Sequence, residues 1–138
     1  MLRKYTLYLA GLLGLVLGGA ACGDSHPRAG FIDAAWNIDS QTSGGTTCER
    51  AGISTVVLSA QDAVHTNVKP DFTYFNCVDR GGLSNPLAPG EYFVALYGYQ
   101  DPNTIGSVDP IGSYQFPVTY FVDPDSTTQL PEVSLIVP

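Results

Sequence analysis

The side chains able to do chemistry are few and scattered. His65 stands close to Asp62 and Thr66, and serines occur elsewhere, so the parts of a Ser/His/Asp hydrolase are present in name. Such a triad needs its serine lifted on a strained strand-to-helix elbow, and no G-x-S-x-G run occurs. His65 therefore reads as a loop histidine, and catalysis is not expected. Asp101, Asn103, Asp109, Asp123 and Asp125 carry the hard oxygens that Ca²⁺ prefers. Their spacing fits no EF-hand, and Asp before Pro is ordinary turn chemistry. Asp101, Asp109, Asp123 and Asp125 remain weak calcium candidates, and no cofactor is expected. The aromatic residues offer more. If Tyr92, Val94 and Leu96 face a core, then Phe93, Tyr97 and Tyr99 point outward from the same strand, where flat rings stack on sugars or make a protein-binding patch. The opposite register would make them core. Tyr114, Phe116 and Tyr120 likewise share one face of their own strand.

Positioning these rings requires strands, and the chain alternates with period two and has no helical stripe. In Phe31 to Asp39, Ile32, Ala34, Trp36 and Ile38 fall on one side, which predicts a half-buried strand with Trp36 inward. Further strands are predicted for Ile53 to Ala60, Phe72 to Val78, Glu91 to Tyr99, Ser113 to Val122 and Val133 to Val137. Pro117 cannot donate to a ladder, so its strand should lie at an edge or carry a bulge. Gly44-Gly45, Pro70-Asp71, Gly81-Gly82, Pro89-Gly90, Asp101-Pro102-Asn103 and Asp123-Pro124-Asp125 fall between strands as turns. Six or seven short strands in this length predict an all-β domain, an antiparallel β-sandwich.

Composition sets the limits. With 138 residues, 14% charged and a net charge of −7, the chain has room for one domain and lacks the clustered cations that nucleic acid demands. Arg3 and Lys4 precede an uncharged stretch, Leu7 to Ala21, that is short for a bilayer and rich in glycine. A positive start, an apolar run and small residues at its end describe a cleaved signal peptide over residues 1–21; a retained helix would need more apolar length.

Gly19-Ala20-Ala21-Cys22 resembles the lipobox of bacterial lipoproteins, with Gly19 where that pattern usually has Leu. The resemblance implies a diacylglyceryl thioether on Cys22, which becomes the mature N-terminus, and hence a partner in the membrane itself. An ordinary signal peptidase would also accept Gly19-Ala20-Ala21 and would release a soluble protein with a free thiol. Three cysteines leave one unpaired in an oxidising compartment, and lipidation of Cys22 accounts for it. Residues 22–30, which include His26, read as a lipidated cysteine and a flexible tether to the β-sandwich domain, residues 31–138. Gly23 stands where enterobacterial lipoproteins kept at the inner membrane have Asp, which points to the outer membrane.

Cys48 and Cys77 then pair as a disulfide, which export permits; the alternative, a two-thiol metal site, lacks neighbouring ligands. A Trp strand, a Cys, a Gly-plus-Val strand, Phe75-Asn76-Cys77 and Gly90-Glu91-Tyr92-Phe93-Val94 follow in order. Over Phe31 to Tyr99 this order resembles the immunoglobulin-like or transthyretin-like (carboxypeptidase-regulatory-like) sandwiches of bacterial surface lipoproteins. The resemblance implies a fold and carries no catalytic residues. The expectation is a lipid-anchored envelope module with a structural or protein-binding role. The alternative is a carbohydrate-binding module that uses Phe93, Tyr97 and Tyr99.

Overall fold

The computed structural model describes residues 27–138. The expected signal peptide, Cys22 and His26 lie outside the described residues. Within them, the predicted alternation becomes structure. Strand β1 (Phe31–Ser40) buries Ile32, Ala34, Trp36 and Ile38 on one side, as its period-two pattern demands. The β-branched run Thr55–Asp62 forms β3, Asp71–Asn76 forms β4, Gly90–Tyr99 forms β6, Gly112–Val122 forms β7 and Val133–Val137 forms β9.

Three strands are additions to that expectation: β2 (Gly44–Gly45), β5 (Gly81–Leu83) and β8 (Thr127–Gln129). Two of them fall on glycine pairs that the sequence marks as turns. At Gly82 the reason is close approach, because an added Cβ would sit 2.6 Å from the Phe75 ring. A short helix α1 (Cys48–Ala51) is capped by the Thr47 hydroxyl, which accepts from the Arg50 N–H, and is ended by Gly52 in the left-handed region.

The strands form one curled sheet in the order β2-β1-β9-β7-β6-β3-β4, with β5 and β8 also paired to β1. The sheet is mixed, which corrects the expectation of a purely antiparallel sandwich. Both β8 and β9 run parallel to β1. The cause is that residues 127–137 enter beside Phe31 and follow β1 along its length, with the Leu130 N–H donating to the Asp33 carbonyl between the two strands. Alternation in a sequence fixes which side of a strand is wet, and it says nothing about which strand lies alongside.

The curl brings the first strand and the far edge face to face. Trp36 of β1 packs on Phe75 of β4 with ring centroids 5.4 Å apart, and the Trp36 indole N–H donates to the Cys77 carbonyl. After β4 a 3-10 turn (Cys77–Asp79) carries the chain across to β5 beside β1. Ser84 then stands in for a ladder group, its hydroxyl accepting from the Ile32 N–H while its own N–H donates to the Ile32 carbonyl. Asn85 ties this crossing to the edge strand: its N–H donates to the Thr73 hydroxyl and its amide to the Phe72 carbonyl. The disulfide Cys48–Cys77 joins α1 to the 3-10 turn.

The core lies inside the curl, built on Trp36, Ile32, Leu58, Leu96 and Leu135. The proline expectation resolves as a bulge. Phe93 pairs with Thr119 and Ala95 with Gln115, so the three residues Phe116 to Val118 of β7 span the single residue Val94 of β6. Here β7 lies between β6 and β9, and the bulge accommodates Pro117 away from the sheet edge.

Candidate functional site

Tyr92, Val94 and Leu96 of β6 are buried in the core, so Phe93, Tyr97 and Tyr99 leave the strand on its outer side. Phe93 is 46% exposed and Tyr97 half-buried. Tyr99 differs: it is buried beneath the segment 100–111, where Gln100, Asp101, Thr104, Val108, Asp109 and Ile111 surround a cavity of about 240 Å³ with it. Burial pushes the Tyr99 phenol up, and the neighbouring Tyr97 and Asp109 add to the rise. Tyr99 is thus a ring under a loop and is withdrawn from the exposed set. Strand alternation placed it on the outer side, and the loop that follows the strand then covered it.

The register extends the face beyond β6. Tyr97 pairs with Val57 of β3, and Val57 pairs with Tyr74 of β4, so the two tyrosines flank one valine across three strands. Val57 has no exposed surface although it stands outside the core cluster. Cross-strand neighbours lie within about 5.5 Å at Cβ, close enough for the two rings to shelter it. The adjacent rung carries Phe72, Ser59, Ala95 and Gln115, and the next carries Gln61, Phe93 and Thr119. These three rungs bear rings, hydroxyls and amides, and no charged side chain.

Tyr74 was not singled out by its sequence, because the F-x-C pattern drew attention to its neighbour Phe75. The available signal was alternation itself: if Phe75 faces Trp36, Tyr74 faces water. Tyr74 also borders a groove of about 340 Å³ with Thr55, Phe75, Asn76, Asp79 and Pro102. Tyr114, Phe116 and Tyr120 do share a face, and it is the inner one. Phe116 meets both tyrosines edge-on, at 5.0 and 5.6 Å, and all three pack on the core.

His65 sits in an exposed turn. Its Nδ1 lies 3.0 Å from Asp62 Oδ2, and Asp62 Oδ1 accepts from the backbone N–H groups of Val64 and His65. The His65 N–H, then the His65 ring, then the Val64 N–H hold the Asp62 carboxyl below the usual aspartate range. No hydroxyl nucleophile contacts this pair among the described residues, and its geometry is that of a turn. The calcium candidates are divided. Asp101 accepts from the Asn103 N–H at one end of β7, whereas Asp123 and Asp125 lie past its other end, roughly 30 Å away at strand rise. Asp125 is engaged by Arg28 at 2.8 Å. Among the described residues no three His, Cys, Asp or Glu side chains gather as a metal site. No described helix is long and apolar enough to cross a membrane.

No family model matches the chain, and no curated protein matches it. The face on β4, β3 and β6 therefore stands on its own chemistry: a dry floor of Val57 and Ala95 under Tyr74, Tyr97, Phe72 and Phe93.

Proposed function

We propose that the protein is an exported, lipid-anchored module of the cell envelope that works by binding, through the outer face of β4, β3 and β6. The observation that carries this reading is the Tyr74-Val57-Tyr97 row, where aromatic rings remain on the solvent side of a sheet whose core is already complete on the other side. Exposed rings on a rigid strand lose little conformational entropy on contact, which suits recognition. The reading does not rest on a reactive constellation, and catalysis has no part in it.

Anchorage is supported by the leader and by Ala20-Ala21-Cys22, and the Cys48–Cys77 bridge fits an oxidising compartment. Two or three acyl chains hold a protein at a bilayer where one does so only marginally. The outer membrane is the proposed address. The curled sheet is read as a relative of the immunoglobulin-like or transthyretin-like sandwich, because β1 and β4 face each other through Trp36 and Phe75 as two walls.

Mass spectrometry of the protein from its native membrane tests this directly. The expected N-terminus is Cys22 with an added diacylglyceryl group, and Cys22→Ser moves the protein from membrane to soluble fraction. Retention of Met1 with all three thiols reduced would overturn the reading.

A further inference from the structure

From the groove beside Tyr74 and the row that leads from it, we infer that the ligand of this face is a neutral polysaccharide chain lying across the strands. The inference rests on the reading of this face as a binding surface and adds the ligand to it.

Three features meet at Tyr74. First, adjacent strands are spaced about 4.8 Å apart, so Tyr74 and Tyr97, two strands apart, stand roughly 9.6 Å from each other at the backbone. That is close to the length of a disaccharide unit in an extended chain, so every second sugar of the chain meets a ring. Second, the groove supplies the polar partners a sugar needs. Asn76 donates and accepts through its amide, Thr55 does both through its hydroxyl, and the exposed Asp79 carboxylate accepts from paired hydroxyls. Third, the charge excludes the alternatives. Asp79 and the net charge of −7 repel an acidic polymer, and the three rungs offer no cation to hold one. A protein partner calls for about 800 Å² a side with a broad apolar centre, whereas here the rings of Phe72, Tyr74, Phe93 and Tyr97 are interspersed with Ser59, Gln61, Gln115 and Thr119.

The disulfide has a place in this arrangement. Asn76 immediately precedes Cys77, and Asp79 follows it by two residues, so the bridge to Cys48 holds the groove's polar edge before ligand arrives. Preorganisation of that kind raises affinity by lowering the ordering cost.

Native affinity gels with the detergent-solubilised full chain test the proposal, using hydroxyethylcellulose, glucomannan and laminarin as neutral probes and polygalacturonate as the acidic one. The expected result is retardation by at least one neutral polymer and none by polygalacturonate. Tyr74→Ala and Tyr97→Ala should each weaken binding about tenfold, the upper range for an aromatic contact. Tyr97→Phe should retain it. Asp79→Asn, at an exposed site, should weaken binding while the unfolding midpoint stays where it was. Retardation by polygalacturonate alone, by none of the polymers, or equally in the Tyr74→Ala/Tyr97→Ala double variant overturns the proposal. A photoreactive residue at position 97 separates the two failures. Cross-linking in cells to protein alone, with no gel retardation, removes the glycan and leaves the face as a binding surface; no cross-link and no retardation remove both.

Discussion

Tyr74 and Phe75 are neighbours in the chain and belong to different regions of the molecule. Phe75 turns inward onto Trp36 and closes the curl, whereas Tyr74 turns outward to flank Val57 opposite Tyr97. The interior has Trp36 and Phe75 fastened by an indole hydrogen bond and a nearby disulfide. The outer face has rings of similar size with no partner layer above them among the described residues. The comparison teaches that aromatic content alone does not mark a core. One step along a strand separates a ring that holds the fold from a ring free to hold something else.

The comparison can be broken at several points, most severely in the interior. Trp36→Ala should cost about 3–5 kcal/mol, since it empties a fully buried site and removes the bond to the Cys77 carbonyl. Urea unfolding followed by far-UV circular dichroism measures it, and a loss below about 1 kcal/mol would show that Trp36 does not hold β1 against β4. Removing the disulfide with Cys48→Ala/Cys77→Ala should cost about 3.6 kcal/mol in the chain-entropy model, for a sequence separation of 29. The same unfolding assay, with and without reductant on the parent protein, checks that figure.

Gly82→Ala should destabilise by about 1–3 kcal/mol, because the new methyl meets the Phe75 ring and neither β5 nor the ring can withdraw freely. If the variant unfolds with the parent, the crossing from β4 to β5 is looser than its contacts require. On the outer face the scale drops. Phe93→Ser should leave stability within about 0.5 kcal/mol, the usual range for a surface change. A loss comparable to that of Trp36→Ala would place Phe93 in a core and cancel the distinction between the two faces.

The smallest effect belongs to Asp62. Its carboxyl titrates below the ordinary aspartate value in the folded state, so its contribution is present above that ordinary value and fades as pH falls through the lower, folded one. The side chain is exposed, and the effect on global stability should be slight. Carboxyl-selective NMR titration should find its midpoint low in the parent and closer to the ordinary value in His65→Ala.

Much of the fold was legible. Ile32, Ala34, Trp36 and Ile38 alternate with polar or smaller residues, and a strand with one wet side has no other way to arrange them. Strand β9 matches its predicted bounds, Val133–Val137. Less legible were the strands on glycine. Gly81 and Gly82 look like a turn because glycine permits turns, yet the missing side chain there lets β5 lie against β1 and Phe75. The binding face was half visible. Phe93 and Tyr97 follow from the same alternation that buries Tyr92 and Leu96, but their partner Tyr74 is 23 residues before Tyr97 and meets it only through the register of β3 with both strands.

The amino-acid order alone decided the side each strand residue takes and pointed to the pairing of Cys48 with Cys77. Each of these depends on local spacing or on the chemistry of a single residue type. Tertiary structure decided what stands beside what: β9 parallel to β1, Tyr99 under its own loop, and Tyr74 brought level with Tyr97. Those facts depend on ladder register and on the curl of the sheet, and both are set by contacts between residues far apart in the chain, which no short stretch of sequence encodes.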